Sequence, residues 1–177
     1  MHDLKLIETN IEKASFISKE LLRFSRNDKI KLINVNINHI IKNTLALIEH
    51  KLQSVKIHQE LQDVPYVLGD PIKLEQVFIN VLNNSIDAMP NGGKISISSS
   101  HKYGLVRIEM SDDGVGIADE HIQKVLDPFF TTKEVGKGTG LWLLICYEII
   151  KQHSGNIEIS DTVSGTKVIV QLPASNE

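Results

Sequence analysis

Polar side chains on a predicted helix, Asn80, Asn84 and Asp87, form the first of three polar clusters that could do chemistry in this 177-residue sequence. Asn80 and Asn84 are four residues apart, so they share one face of a helix that is otherwise apolar. Carboxamide oxygens on that face could bind a hard cation such as Mg²⁺, which prefers oxygen ligands. Taken alone, the same pattern also fits a solvated helix face.

An acidic pair followed by glycines forms the second cluster, the run Asp-Asp-Gly-Val-Gly at 112–116. It follows a predicted strand, and a carboxylate such as Asp112 at a strand end can accept a hydrogen bond from an exocyclic amine, such as that of adenine. Gly114 and Gly116 would let the backbone approach a ligand closely. A plain turn is the alternative for this run alone.

A glycine-rich run, Gly-Lys-Gly-Thr-Gly at 136–140, forms the third cluster and leads directly into a predicted helix. Exposed N–H groups at a helix N-terminus bind phosphate, and the helix dipole adds to this attraction. Lys133 and Lys137 supply positive charge nearby. The spacing matches neither a Walker A motif nor a dinucleotide fingerprint. A flexible glycine-rich loop is the alternative.

The elements that must position these clusters alternate between strands and helices. This order predicts an α/β (α+β) two-layer sandwich, in which a mixed β-sheet carries three helices packed on one face. Helices are predicted from Asn36 or Asn38 to about Leu52, from Asp70-Pro71 to the turn at Pro90, and from about Leu141 to His153. Strands are predicted at 32–35, 55–61, 94–100, 105–111, 157–160 and 167–172.

The first 28 residues are predicted to form a helix with a coiled-coil seam that lacks a partner helix in this sequence. Such a seam needs a second chain or a further helix. A polar break at 26–28 then separates a first segment, 1–28, from a domain at 29–177. The seam consists of Leu4, Ile7, Ile11, Ala14, Ser18 and Leu21.

Composition favours a soluble domain, with 41% hydrophobic residues and a net charge of -3. This charge gives no electrostatic case for nucleic acid as a partner. No apolar run approaches the roughly 20 residues that span a bilayer, so no membrane contact is expected. The single cysteine, Cys146, is expected to be a buried, inert thiol, and these features together predict a cytoplasmic location.

The order and spacing of the clusters resemble the nucleotide-binding boxes of histidine protein kinases, which belong to the ATPase superfamily that includes gyrase, Hsp90 and MutL. The resemblance covers about residues 30 to 173, and the helix at 1–28 is similar to the second helix of that family's dimerisation and phosphotransfer region. The N box resembles 80–88, the G1 box 112–117, the F box 127–133 and the G2 box 136–141.

Carried over by position, the resemblance implies roles for single residues. Asn84 would bind Mg²⁺, with Asn80 close to the same phosphates. Asp112 would accept a hydrogen bond from the adenine amine, Thr166 would support adenine through water, and Gly114 and Gly116 would make room for the base. A mobile lid would include Phe129, Phe130 and Lys133, and the turn on the triphosphate would consist of Gly136, Lys137, Gly138, Thr139, Gly140 and Leu141.

Two departures from the family pattern affect the prediction. Trp142 stands where a glycine is usual; helical periodicity places it in the core between helix and sheet, with Leu144 exposed. The acceptor histidine of the family, beside an acidic residue on a first helix, has no match here. The scattered histidines are each expected on the surface or in loops: His39, His50, His58, His101, His121 and His153.

The resemblance therefore implies the ATP-binding catalytic domain of a two-component sensor histidine kinase, with ATP and Mg²⁺ as cofactors. It would present ATP to a histidine absent from this sequence, for relay to a response regulator receiver domain. A second copy of the kinase would pair through the N-terminal helix, and the full-length parent could be membrane-anchored. An ATP-driven clamp is disfavoured because Asn80 replaces the glutamate that activates water there. A nucleotide-binding regulatory module without kinase activity remains the alternative.

Overall fold

A computed structural model describes residues 30–118, 121, 127, 130–131, 140–162 and 164–175 of the chain. The predicted helix at 1–28 lies outside these residues, so its fold and the boundary at 28/29 remain predictions. The strands are β1 (Ile33–Val35), β2 (Val55–Leu61), β3 (Val67–Gly69), β4 (Gly93–Lys102), β5 (Leu105–Asp112), β6 (Asn156–Thr162) and β7 (Gly165–Pro173). The α-helices are α1 (Ile37–Leu47), α2 (Pro71–Asp87) and α3 (Trp142–Gln152).

Five of the strands form a mixed sheet in the order β2-β4-β5-β7-β6. Only the β2–β4 pair is parallel, and the other neighbours are antiparallel. The predicted two-layer sandwich with three helices is confirmed. The first helix is shorter than predicted, because a 3-10 turn at Glu49–Lys51 replaces its last part. Among the described residues, no helix is long and apolar enough to cross a membrane.

A small antiparallel ribbon of β1 and β3 was only half predicted from the sequence. The sequence predicts β1. It does not predict β3, because three residues are too few to show the alternation of apolar and polar side chains that marks a strand. Its pairing with β1, and the bridge from Val67 to Ala174, are tertiary contacts. Val67 is almost fully buried, and this contact explains why so short a strand forms.

The hydrophobic core lies between the three helices and one face of the sheet. Alternation along β4 sends Ile95 and Ile97 into this core, whereas Ser96 and Ser98 face the other side. Phe78 of α2 is fully buried against them. Burying one such side chain stabilises the fold by about 1.5–3 kcal/mol, so this layer supplies much of the folding energy.

Helix α2 begins at a well-satisfied N-cap. The Asp70 carboxylate accepts hydrogen bonds from the backbone N–H groups of Ile72 (3.0 Å) and Lys73 (3.2 Å), and Pro71 occupies the first helical position. The second carboxylate oxygen accepts from the Lys31 N–H at 3.0 Å. Asp70 therefore ties the start of α2 to the chain that enters β1.

His153, the C-cap of α3, joins the end of α3 to the start of α2. Its Nε2 accepts a hydrogen bond from the Asp70 N–H at 2.9 Å, and its Nδ1 lies 2.6 Å from the Ile149 carbonyl oxygen, to which it donates. The surface or loop position expected for His153 is wrong, because the side chain is 4% exposed. Both ring nitrogens have backbone partners, which is why burial is tolerated.

The Asp70→Asn variant tests how much the charged cap contributes. Desolvation alone would raise the pKa of Asp70, but the N–H donors of Lys31, Lys73 and Ile72 outweigh it and lower the pKa. A lowered folded-state pKa adds stability that is present above the unfolded value of about 4 and is lost as pH falls through the folded value. Asparagine can still cap the helix, so we expect the free energy of unfolding to fall by only about 0.3–1 kcal/mol at pH 7. We also expect the acid limb, which is the decline of this free energy as the pH falls below about 5, to be less steep.

Urea unfolding between pH 2.5 and 7 measures both quantities. Asp63→Asn, at an exposed position without a capping role, is the matched control and should leave the acid limb unchanged. An acid limb in Asp70→Asn as steep as in the parent would contradict the prediction.

Candidate functional site

A cavity of about 500 Å³ opens where the ends of several elements meet. Its walls come from the last turns of α2, the end of β5 with the loop that follows, the start of α3 and the start of β7. Apolar walls such as Val81 and Val168 lie beside a few polar groups, which is the usual character of a small-molecule site.

The Asp112 carboxylate is the centre of hydrogen bonding in this cavity. Its Oδ1 accepts from the backbone N–H groups of Gly114 (3.1 Å) and Thr166 (3.2 Å). Its Oδ2 accepts from the Ser85 hydroxyl at 2.8 Å. Asp112 is only 8% exposed, and these three donors offset the cost of burying a carboxylate.

The loop after β5 needs glycine at two positions. A Cβ at Gly114 would lie 2.7 Å from the Ala88 Cβ, so only glycine lets the loop approach α2 this closely. Gly116 has a φ of +70°, a backbone conformation that other residues rarely adopt. The Ile117 N–H donates to the Asp161 Oδ1 at 3.2 Å, which fastens the loop to β6.

Asn80 and Asn84 of the N box have different surroundings. Asn84 lines the cavity, and its Nδ2 donates to the Asn80 carbonyl oxygen at 2.9 Å, which orients its amide. Asn80 is outside the residues that line this cavity, and its Nδ2 lies 3.8 Å from the Cys146 Sγ. Burial raises the pKa of the Cys146 thiol to about 12, which confirms the predicted buried, inert thiol.

Trp142 lies at the cavity rather than deep in the core. The indole is half-buried, packs against the edge of the core and lines the cavity, so the predicted core position is only partly right. Trp142 is the first residue of α3, where the helix passes the end of the sheet. The buried stripe of the helix is Leu143, Cys146, Ile149 and Ile150. Leu144 is half-buried, so its predicted exposure is wrong.

Several predicted site residues lie outside the described part of the chain. They are Phe129, Lys133, Gly136, Lys137, Gly138 and Thr139. Gly140, with a φ of +63°, and Leu141 are described and buried at the start of α3, outside the cavity lining. Phe130, from the predicted lid, lines the cavity, as do Asp112, Gly116 and Thr166.

Sequence reasoning included Ser85 and Ala88 in the N box without giving either a role, and it missed His121 and Asp161 as residues at or beside the site. Helical spacing could have assigned the first two, because 81, 84, 85 and 88 lie on one side of α2 and its C-cap. His121 and Asp161 had no local signal, since loop and strand contacts bring them to the cavity and to the loop beside it.

The arrangement suits a flat heterocycle that carries an amine. The Asp112 carboxylate at the end of β5 has three hydrogen-bond donors among the described residues, and apolar side chains also line the cavity. Asn84 of α2 lines the same cavity and offers the oxygen type that Mg²⁺ takes. The residues present therefore fit an amine-bearing base and a metal-bound phosphate group.

Comparison with known proteins agrees with this geometry. The model of the family described as histidine kinase-, DNA gyrase B-, and HSP90-like ATPase matches residues 69–176, more than half of the chain. The fold and site thus define an ATPase-type nucleotide-binding domain, and the chain belongs to this family. Within it, the chain is an ATP-binding catalytic domain of the histidine kinase type, as its named relatives show.

Sporulation kinase E of Bacillus subtilis is 32% identical over 173 residues, which are 95% of this chain and 23% of the relative. Sensor histidine kinase ZraS of Escherichia coli K12 is 30% identical over 93% of this chain and 36% of the relative. The chain thus spans about a quarter to two-fifths of the curated relatives it matches.

Two solved structures of the histidine kinase ThkA are also similar. Its nucleotide-free catalytic domain is 33% identical with a TM-score of 0.75, over 81% of this chain and 96% of that one. ThkA in complex with the response regulator TrrA is 29% identical with a TM-score of 0.81, over 96% of this chain and 50% of that one.

Trp142 should report on nucleotide binding, because it is the single tryptophan of the chain and lines the cavity. We expect its fluorescence to change in intensity or wavelength when ATP and Mg²⁺ are added, with a midpoint that matches calorimetry. The Trp142→Phe variant should bind with no such signal. Saturation by calorimetry without any change in emission would contradict the position found for the indole.

Proposed function

We propose that this chain binds Mg²⁺-ATP and presents its γ-phosphate to a histidine side chain that the chain itself does not supply. The parent would be a two-component sensor histidine kinase. The observation that carries the proposal is the Asp112 carboxylate, held by three donors at the end of a cavity with apolar walls. The family match and the histidine kinase relatives support it.

The adenine base would bind at the Asp112 end of the cavity. A carboxylate accepts hydrogen bonds and cannot donate them, so it suits the exocyclic amine of adenine. Val81 and Val168 would contact the faces or edges of the ring system. Thr166, whose N–H holds Asp112, would support the base from β7.

The phosphates would extend from the base toward Asn84 and the start of α3. Asn84 would hold Mg²⁺, and this ion would neutralise phosphate charge. Gly140, Leu141 and the run before them would provide backbone N–H groups at the helix N-terminus. The proposed lid residues Phe129 and Lys133 would cover this end.

Transfer rather than hydrolysis is the expected reaction. Asn80 carries an amide, which cannot take a proton from water, so the chain lacks a base at the position where the resembling ATP-driven clamps carry a glutamate. Phosphoryl transfer depends mainly on positioning and charge neutralisation. Asn84 would contribute to positioning, and the Mg²⁺ that it would hold would supply charge neutralisation. The nucleophile would be a histidine on the dimerisation and phosphotransfer region.

The partners follow from the same proposal. A response regulator receiver domain would take the phosphoryl group, and ThkA, which is similar in fold, has been solved with a response regulator. A second copy of the kinase would pair through residues 1–28, whose seam is unfinished in one chain. The lone buried thiol fits a reducing cytoplasm.

Calorimetry with two variants tests the nucleotide site. In Asp112→Asn, an amide N–H₂ replaces one oxygen where three donors converge, so ATP affinity should fall about 10- to 100-fold. Asn84→Ala should lose mainly the Mg²⁺-dependent part of the affinity. An Asp112→Asn protein that binds ATP like the parent would disprove the adenine assignment.

Labelled ATP tests the missing acceptor. The chain should bind ATP yet retain no acid-labile phosphate, because no histidine has the family's acidic neighbour on a first helix. Phosphohistidine on any of the seven histidines would refute this expectation. The parent protein should form phosphohistidine; if it binds ATP but forms none, the function is a regulatory nucleotide-binding module instead.

A further inference from the structure

Ser85 is a buried serine of α2 whose hydroxyl bonds to the centre of the site. It follows Asn84 in the sequence, lines the cavity and is 6% exposed. Its Oγ donates to the Asp112 Oδ2 at 2.8 Å, across 27 residues of chain. No other side-chain hydroxyl bonds to this carboxylate in the part of the chain that the structure describes.

A serine inside a helix has a nearer partner available. Its hydroxyl commonly bonds the carbonyl oxygen four residues earlier, which here belongs to Val81. Thr44 of α1 shows this alternative, because its Oγ1 donates to the Ile40 carbonyl oxygen at 2.8 Å. The Ser85 hydroxyl instead leaves its own helix and bonds to β5, which is evidence that the contact with Asp112 decides its rotamer.

The number of hydrogen bonds that Asp112 accepts can be compared with the number that a carboxylate can accept. A carboxylate has about four acceptor positions. Two positions on Oδ1 are taken by the N–H groups of Gly114 and Thr166, and one position on Oδ2 is taken by Ser85. One acceptor position on Oδ2 remains for a ligand. Ser85 fixes the direction of this position, because it is the only protein donor to Oδ2 among the described residues.

The hydroxyl of Ser85 also has a fixed polarity toward the cavity. A serine has one proton, and this proton lies in the bond to Oδ2. The oxygen of Ser85 can therefore only accept a further hydrogen bond from a ligand. Two neighbouring oxygens of residues that line the cavity, the Oδ2 of Asp112 and the Oγ of Ser85, can thus act toward a ligand only as acceptors.

We propose that Ser85 is a positioning residue that sets the base specificity of the nucleotide site, by aligning Asp112 Oδ2 for the exocyclic amine of a 6-aminopurine. Without the hydroxyl, Oδ2 has no partner among the described residues, and the carboxylate can turn about its terminal torsion, which is broad for aspartate. Water would then compete for the position that the amine needs. The inference rests on the proposed function, since it assumes that the cavity binds ATP.

Two nucleotides separate positioning from a general structural role. ATP carries the 6-amino group, and purine riboside triphosphate lacks it but keeps the ring and the phosphates. In Ser85→Ala we expect ATP affinity to fall about 5- to 30-fold, the range for losing one good hydrogen bond. Affinity for purine riboside triphosphate should stay within about twofold. The ratio of the two affinities is the readout, and a merely structural role would not change it.

Two further variants and an unfolding measurement complete the experiment. Ser85→Thr keeps the hydroxyl and should restore most of the ratio. Ser99→Ala is the matched control, because Ser99 is buried (1% exposed) and its Oγ donates to the Asn38 Oδ1 at 2.7 Å, away from the cavity. It should lose stability but keep the ratio. Unfolding curves confirm that Ser85→Ala folds, and alanine favours the helix.

The outcomes are distinct. If Ser85→Ala binds both nucleotides with the same ratio of affinities as the parent, whether or not both affinities fall, the inference is overturned, although ATP binding by the parent stands. Equal ratios in Ser85→Ala and Ser85→Thr would also overturn it, since the hydroxyl would then be irrelevant. If the parent bound neither nucleotide, the proposed function would fail, and the inference with it.

Discussion

One buried carboxylate holds together the parts of the chain that form the cavity. Asp112 ends β5, and it draws donors from α2 through Ser85, from its own loop through Gly114 and from β7 through Thr166. Burying a carboxylate without donors costs several kcal/mol, so these elements must come close and in register. The pairing of Ser111 with Lys167 brings Thr166 opposite Asp112. The shape of the site follows from satisfying this one group.

Helices α2 and α3, which carry other residues of the site, are joined to each other by a hydrogen bond between the end of α3 and the start of α2. His153, at the end of α3, accepts a hydrogen bond from the Asp70 N–H at the start of α2. Between these ends, the Cys146 Sγ lies 3.9 Å from the Val77 carbonyl oxygen and 3.8 Å from the Asn80 amide. The two helices are therefore tied along their contact, which keeps the first residue of α3 and the last turns of α2 at a set distance. Sites built on such rigid elements hold their geometry better than sites on loops.

The site controls its ligand through position and polarity rather than through a reactive side chain. Asn84 and Asn80 are amides, Asp112 accepts hydrogen bonds, and the only cysteine is a buried thiol with a raised pKa. Such a set can align a nucleotide and its metal, but it needs an external nucleophile. The proposed function therefore assigns the nucleophile to a histidine on another element.

The sequence by itself determined the order of strands and helices, the cap at Asp70, the acceptor at Asp112 and the family, because these depend on periodicity and on motifs within one short stretch. The tertiary structure decided β3, the burial of His153, the place of Trp142 beside the cavity and the partnership of Ser85 with Asp112. Each of these depends on a contact between residues far apart in the chain, such as the 83 positions that separate Asp70 from His153. Patterns within one segment do not predict such contacts, because a buried polar atom meets its partner only when the helices pack on the sheet.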